Sequence, residues 1–351
     1  MIDALSYPVR RAYTHLRTDV FSLPSRTLVF AFVLALLLLP LYSTDPYLLR
    51  IVIMTCIFAI FAASWDLLAG YTGQVNFGHA LFFGVGAYGS SLLNYHFGLS
   101  PWITMPIGAI AAMLSGFLVG IPCLRLRGSY LSLATLAFPL ILTGILFAFP
   151  GFSGGELGVS GIQRLFTYPV HNYYAAVILM LALCFGMWKI GNSNMGLIFH
   201  AIREDEVAAR ASGINTQRYK LLAFGLSALF AGVAGAFFAH FIRIAGPSSL
   251  EVALSFQVVI WGIFGGVATI YGPVVAVFVL YPLTEAVAVF PVLREYRLLI
   301  LAVVVLLVLL FMPQGLTPWL RGKIESVCRR CKNRNIFWRR ECRVCNAELR
   351  Q

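Results

Sequence analysis

The sequence predicts an all-α, polytopic membrane protein of about ten transmembrane helices. Both termini are expected in the cytoplasm, and a small zinc-ribbon-like tail is expected at the C-terminal end. The 351 residues have a mean hydropathy of +0.84, and 60% of them are hydrophobic whereas only 11% are charged. Several continuous apolar runs approach the roughly 20 residues that a helix needs to span a bilayer. A β-barrel would instead show alternating polarity.

The first 26 residues are predicted to be a cytoplasmic segment and not a cleaved signal peptide. They are polar and contain four arginines. The first apolar run, 27–39, is followed by Pro40, Leu41 and Tyr42, which do not resemble the small residues of a cleavage site.

Residues 27–316 are predicted to form the transmembrane domain of a bacterial or archaeal cytoplasmic membrane protein. With ten spans, the Lys and Arg clusters of the N-terminal segment, of 125–127, of 189–220 and of the tail fall on one side, which marks the cytoplasm. Arg243, Arg294 and Arg297 fall on the outer side and oppose this pattern. The expected spans are 27–43, 49–68, 80–96, 102–124, 129–149, 172–190, 219–241, 254–270, 272–290 and 297–313.

Polar residues at membrane depth are candidates for the translocation path. The segment GYTGQVNFGH, 70–79, interrupts two apolar runs, and broken backbone at this depth needs protein partners or a water-filled cavity. Ionisable groups within spans usually face the bundle interior. Helix packing through small residues and a simple cytoplasmic turn are the alternative explanations of the segment. The candidate path residues are Asp66, Gln74, Asn76, His79 and Glu285.

A charged island lies between two long apolar segments, and we expect it to lie in water and to contact a soluble partner. It predicts a short helix over Arg203–Ser212, within a docking element of about 203–213. The acidic residues would lie in its first turns, where the helix dipole favours anions, and Gly213 would adopt the left-handed conformation after its end. Such a helix can bind in a groove of another protein, or it can lie flat on the membrane. The candidate docking residues are Arg203, Glu204, Asp205, Glu206, Ala208 and Gly213.

The tail, residues 317–351, contains Cys328-Arg-Arg-Cys331 and, ten residues later, Cys342-Arg-Val-Cys345. Two such pairs at this separation are typical of a tetrahedral zinc site, with a small hairpin expected between them. A redox or iron–sulfur role and a metal-free tail are the alternatives. Residues 321–351 hold ten Lys or Arg and three Glu. This charge indicates contact with anionic membrane lipid, and no nucleic-acid partner is expected.

Three sequence blocks and one short motif resemble the branched-chain amino acid ABC transporter permeases of the LivM type. The match extends over about residues 45–316, in the family's order and with its spacing. The tail departs from the family pattern, so the resemblance implies nothing about it. The blocks are SWDLLAGYTGQVNFGHALFFGVGAY (Ser64–Tyr88), MGLIFHAIREDEVAARASGINTQRYKLLAFGLSALFAGVAGAFFAH (195–240), GGVATIYGPVVAVFVLYPLTEAV (Gly265–Val287) and FMPQGL (Phe311–Leu316).

The resemblance implies that the docking element contacts an ATP-binding subunit and that an extracytoplasmic substrate-binding protein contacts the outer loop 151–163. It further implies two ATP-binding subunits and a paralogous permease subunit. ATP would be used by the partner subunits only, since the sequence has no G-x-x-x-x-G-K-[ST] motif. The implied substrates are branched-chain or other hydrophobic amino acids, although related permeases carry urea, short amides or other small acids.

Three other functions compete with a permease subunit of an ATP-driven importer. A secondary transporter could use Asp66, His79 and Glu285 as a proton path. A membrane-embedded enzyme is disfavoured, because neither an HExxH motif nor a paired Asp motif on a span occurs. The tail could also be a metal sensor on a membrane scaffold.

Overall fold

The computed structural model describes residues 24–126, 128–290, 295–312, 314–328, 334–336, 345 and 348. Most of the predicted cytoplasmic segment 1–26 therefore lies outside the described residues. The chain divides into two compact units. One unit comprises Met1–Thr44 and Thr317–Gln351, and the other comprises Asp45–Leu316.

A helix occupies each of the ten stretches predicted to be apolar spans, and other helices lie between or after these stretches. The helices are α1 (Pro24–Tyr42), α2 (Pro46–Trp65), α3 (Ala80–Phe97), α4 (Pro101–Cys123), α5 (Ser129–Ala148), α6 (Pro169–Gly191), α7 (Asn194–Glu204), α8 (Glu206–Ala211), α9 (Thr216–Ile242), α10 (Val252–Gly265), α11 (Tyr271–Ala288), α12 (Arg297–Phe311) and α13 (Leu316–Ile324). The mainly helical, polytopic fold is thus confirmed.

Six helical stretches among the described residues are long and apolar enough to cross a membrane by length and composition. Thr27–Tyr42 and Val252–Gly265 are apolar but shorter. Ten crossings and two cytoplasmic termini stay predictions. The six stretches are Pro46–Gly70, Pro101–Cys123, Tyr130–Ala148, Pro169–Gly191, Thr216–Ile242 and Tyr271–Ala288.

Local sequence explains several helix ends. The Asp45 carboxylate accepts the N–H of Tyr47 at 3.1 Å, and Pro46 fills the first position of α2, where no intrahelical N–H bond is lost. α2 continues into a π-helical turn, Asp66–Gly70. α3 ends at Gly98, whose φ of +64° suits a glycine in the left-handed conformation.

Small residues allow the central helices of the larger unit to approach closely. α9 packs against α2, α3 and α4. A Cβ atom at Gly86 on α3 would overlap the backbone of Gly232 on α9, and one at Gly235 would overlap the backbone of Phe83. A Cβ atom at Gly116 on α4 would lie 2.8 Å from the carbonyl oxygen of Phe224. Close approach through small residues is typical of helix packing in membranes.

Short elements complete the fold. One helical turn (Pro150–Ser153) and a 3₁₀ turn (Gly155–Leu157) precede β1 (Val159–Ser160), which pairs antiparallel with β2 (Ile244–Ala245). A second 3₁₀ turn, Pro247–Leu250, follows β2. In the other unit, β3 (Glu325–Val327) pairs antiparallel with β4 (Arg334–Ile336).

Candidate functional site

The docking element is not the single helix expected over Arg203–Ser212. α7 ends at Glu204, and Asp205 is extended, with φ −153° and ψ 104°. The Asp205 carboxylate caps α8 by accepting the N–H groups of Val207 at 2.8 Å and Ala208 at 3.0 Å. Such a cap stabilises a helix by about 1 kcal/mol. The single-helix prediction is wrong because Asp205 starts a new helix instead of continuing the previous one.

The other end of α8 has the left-handed glycine that the sequence predicts. Gly213 has a φ of +84°. Its N–H donates to the carbonyl of Arg210 at 3.0 Å, and the N–H of Ile214 donates to the carbonyl of Ala209 at 3.2 Å. This pair of bonds is the Schellman motif. The six-residue helix α8 is therefore capped at both ends.

The Glu206 carboxylate is engaged within the chain. Its Oε2 accepts from Lys220 Nζ at 2.6 Å, and its Oε1 accepts from Arg210 at 2.9 Å. The Thr216 hydroxyl donates to the same carboxylate at 3.3 Å. Lys220 is only 8% exposed, so this ion pair is shielded from water and joins α8 to α9. Glu206 thus stabilises the docking element internally.

The exposed surface of the docking element combines small apolar side chains with charged ones. Val207 is 67% exposed, and Ala208, Ala211 and Glu204 are also exposed. Two shallow hollows of about 370 and 510 Å³ adjoin this surface, and both are lined by Gly213, Ile214 and Asn215. A surface of this kind suits a groove on a protein partner better than the membrane, because it lacks large apolar side chains.

Asp66 is fully buried and binds a distant loop. Its Oδ1 accepts the N–H of Ala268 at 2.7 Å, and its Oδ2 accepts those of Thr269 at 2.9 Å and Ile270 at 2.8 Å. Ala268 and Ile270 have φ values of +64° and +57°, which are unfavourable for residues with a Cβ atom. The carboxylate therefore holds the loop between α10 and α11 in a strained conformation.

His79 and Asn76, two of the predicted path residues, lie in a closed polar cluster. Asn76 Oδ1 accepts the N–H of Gly78 at 2.8 Å, so its amide nitrogen faces His79 Nδ1 at 3.4 Å. The ring proton then lies on Nε2, 2.9 Å from Ser64 Oγ, and the serine donates to the carbonyl of Phe61 at 2.7 Å. Both residues are at most 1% exposed, so neither faces an open path in this conformation.

The other predicted path residues do not converge on this cluster. Gln74 is 5% exposed in the segment before α3. Glu285 is half-buried on α11 and forms a side-chain hydrogen bond with Tyr281. Tyr281 also interacts electrostatically with Arg50, near the beginning of α2. Asp66 follows the opposite end of α2, about 24 Å from Arg50 along the helix at 1.5 Å per residue. A single proton path through Asp66, His79 and Glu285 therefore finds no support in the geometry.

Sequence reasoning missed two serines that hold the backbone on either side of the interrupted segment 70–79. Ser227 on α9 donates to the carbonyl of Ser64 at 2.6 Å. Ser255 on α10 accepts the N–H of Ala80 at 2.9 Å. The available signal was a serine inside an apolar helix, since such a hydroxyl needs a partner in a low-dielectric interior.

The glycine-rich loop 151–163, which the sequence predicts on the outer side, is held at its C-terminal end by hydrogen bonds. His240 Nδ1 donates to the carbonyl of Gln163 at 2.8 Å, and Arg243 Nε donates to that of Ile162 at 3.1 Å. Asn94 Oδ1 accepts the N–H of Gln163 at 2.9 Å. These contacts and the β1–β2 pair favour a shaped surface over a loose connection.

The tail brings the first and last of its four paired cysteines together. Cys328 Sγ lies 3.6 Å from Cys345 Sγ, and the two do not form a disulfide with each other. Cys331 and Cys342 lie outside the described residues, and the described part of the chain contains no group of three metal-ligating side chains. β3 and β4 pair with each other. Most residues between the two cysteine pairs, where the sequence predicts a hairpin, lie outside the described residues.

Comparisons with known proteins match this chain over most of its length. Residues 47–309 match the family described as the branched-chain amino acid transport system permease component. The chain is 31% identical over 301 residues to the high-affinity branched-chain amino acid transport system permease protein LivM of Escherichia coli strain K12, covering 78% of this chain and 70% of that protein.

More distant relatives have related roles. A probable branched-chain amino acid transport permease protein LivH of Methanocaldococcus jannaschii is 27% identical over 187 residues, which is 47% of this chain and 56% of that one. The autoinducer 2 import system permease protein LsrC of Yersinia pseudotuberculosis is 28% identical over 196 residues, 54% of each chain. With its six apolar candidate spans, the chain is a multi-pass protein of the inner membrane. It belongs to the branched-chain amino acid transport permease family.

Proposed function

We propose that this chain is the permease subunit of an ATP-driven importer for branched-chain or related small amino acids. Separate subunits hydrolyse ATP, and the chain itself is not an enzyme. The observation that carries the proposal is the doubly capped helix α8, which exposes Val207, Ala208 and Ala211 inside the segment matched by the family. A short helix fixed in advance loses little conformational entropy on binding, which favours docking to a partner.

In the proposed mechanism, ATP binding closes two ATP-binding subunits and moves α8 with them. The membrane helices then switch the central cavity between outward- and inward-facing states. Differential binding of ATP and of the loaded outer protein supplies the free energy that shifts this equilibrium, since a small substrate alone makes few contacts. A paralogous permease and an extracytoplasmic substrate-binding protein complete the complex, and ten spans place both termini in the cytoplasm.

The outer loop 151–163 is the proposed contact for the substrate-binding protein. Its hydrogen bonds to His240 and Arg243 at the end of α9 hold it in one shape. Leu157 is 89% exposed there and offers an apolar contact point.

Transport by the reconstituted complex tests the function. The chain, its ATP-binding subunits and its partner permease are placed in liposomes, and uptake of radiolabelled leucine is measured with ATP, with a non-hydrolysable analogue and with a proton ionophore. We expect uptake that needs hydrolysable ATP and resists the ionophore. Uptake that the ionophore abolishes without ATP dependence would support a secondary transporter. ATP-dependent uptake of urea or acetamide, but not leucine, would change the substrate class.

We also propose a zinc site in the tail. Its ligands are Cys328, Cys331, Cys342 and Cys345. Zinc–sulfur bonds of about 2.3 Å in a tetrahedron separate two sulfurs by about 3.8 Å. The distance of 3.6 Å between Cys328 and Cys345 fits this edge and is far longer than the roughly 2.05 Å of a disulfide. Bound zinc would stabilise the fold of this small basic tail, which would lie beside anionic membrane lipid.

Zinc content checks the tail directly. Purified full-length protein is expected to carry about one zinc ion per chain, because four thiolates complete the tetrahedral shell. Replacing both Cys331 and Cys342 by serine should remove it, as measured by mass spectrometry of the metal. The matched control is Cys184→Ser on α6, which should keep the metal. Zinc-free wild-type protein prepared without chelators would contradict the proposed site.

A further inference from the structure

Arg203 connects the docking element to the interrupted helix α2. It precedes the Asp205 cap by two residues, and part of its side chain stays exposed beside the docking surface. Its guanidinium tip points inward, where Nη1 donates to the carbonyl of Gly70 at 2.6 Å. Gly70 closes the π-helical turn that begins at Asp66. One side chain therefore contacts both the partner-facing surface and the break in a membrane helix.

Three segments of the chain meet at Gly70. A Cβ atom there would overlap Asp66 Oδ1 and would lie 2.7 Å from the amide nitrogen of Ala268. The positive charge of Arg203 also acts on the Asp66 carboxylate. The bare backbone of Gly70 thus lets Arg203, Asp66 and the strained loop 268–270 occupy one small volume.

A second contact joins the same two elements. The ring of Tyr71 lies 4.7 Å, centre to centre, from that of His200 on α7. His200 and Arg203 are three residues apart and therefore share one face of this helix. Burial and the nearby Arg203 charge lower the pKa of His200, so its ring is neutral against Tyr71 at neutral pH. α7 thus contacts two successive residues, Gly70 at the end of the π-helical turn and Tyr71 directly after it.

The composition of this contact is unusual for packing alone. π-Helical turns interrupt α-helices mostly at functional sites, and residues held at positive φ also concentrate at such sites. A buried carboxylate costs free energy that an apolar side chain of similar size would avoid. At this one place a buried charge, a strained loop and a helix interruption occur together, next to the surface proposed for docking.

We propose that Arg203 and Asp66 are positioning residues that transmit movement of the docking element to the interrupted helix α2 and to the loop between α10 and α11. This inference rests on the proposed function, because it assigns the route by which ATP hydrolysis reaches the membrane helices. Arg203 moves with α7 and α8 and displaces the carbonyl of Gly70. Asp66 then carries the displacement to the amides of Ala268, Thr269 and Ile270.

The test compares uptake with ATP hydrolysis in the reconstituted complex. Arg203→Met keeps the length of the side chain but removes its donors. We expect leucine uptake per ATP hydrolysed, measured on the complex that assembles, to fall by at least about tenfold. Arg203→Lys retains a donor and the charge, so its ratio of leucine uptake to ATP hydrolysis should lie between those of Arg203→Met and the wild type. Asp66→Asn keeps the shape of the side chain but replaces one of the two acceptor oxygens, and it should lower the same ratio.

A double variant and a matched control test whether Arg203 and Asp66 act on the same route. The double variant Arg203→Met/Asp66→Asn should lose no more coupling than the more impaired of the two single variants, because both act on one route. The matched control is Arg125→Met, an exposed arginine after α4, which should leave the ratio unchanged.

A normal ratio in Arg203→Met overturns the inference. It is also overturned if Arg203→Met, Arg203→Lys and Asp66→Asn all fail to assemble, since the role is then structural. Wild-type protein without ATP-coupled uptake would instead overturn the proposed function.

Discussion

Replacing Ala208 by tryptophan is expected to abolish ATP-dependent uptake while the protein still inserts into the membrane. Ala208 is exposed on α8, and its described hydrogen bonds to side chains, from its N–H to Asp205 and to its carbonyl from the Ser212 hydroxyl, use only backbone atoms. A bulky side chain there leaves both caps of the helix intact but prevents close docking in a groove. We expect binding of the ATP-binding subunit to weaken by about 100-fold, which corresponds to ~2.7 kcal/mol. Co-purification from detergent and uptake in liposomes measure the two effects.

The matched control places the same side chain elsewhere. Ala148 is exposed at the end of α5, on the predicted outer side, and Ala148→Trp should retain the ATP-binding subunits and uptake. Ala208→Ser should behave like the wild type because serine is small. Full uptake by Ala208→Trp with the ATP-binding subunits bound would contradict the docking assignment.

Replacing Gly86 by leucine is expected to prevent stable folding of the larger unit. A Cβ atom at Gly86 would overlap the backbone of Gly232, and one at Gly108 would lie 2.9 Å from the amide nitrogen of Ser90. Backbone atoms cannot move aside as a flexible side chain can, so we expect a loss of about 3 kcal/mol or more. Thermal unfolding in detergent and the yield of monodisperse protein measure this loss.

Gly144→Leu provides the comparison for this substitution. Gly144 lies within α5, is exposed, and has no described atom within 4 Å of an added Cβ. Its leucine variant should unfold near the wild-type temperature. If Gly86→Leu were equally stable, the close approach of α3 and α9 would not exist in the membrane.

Helix positions could be predicted from the sequence because apolar runs of this length have few alternatives in a bilayer. The break at Asp205 could not, since the dipole argument placed all three acidic residues in one helix, although an aspartate before good helix formers also marks a cap. The partners of Asp66 lie about 200 residues further along the chain, and no local pattern indicates them. Glu206 likewise shows how a charge that looks available in the sequence is neutralised by Lys220 in the fold.

α9 links the two proposed working surfaces of the molecule. It runs without a proline for 27 residues, about 40 Å. Lys220 near its beginning binds Glu206 of the docking element, and His240 near its end binds the outer loop. A tilt of this helix would therefore displace both surfaces together. A fluorescent probe on the outer loop would therefore report movement of the docking element that nucleotide binding drives on the opposite side of the membrane.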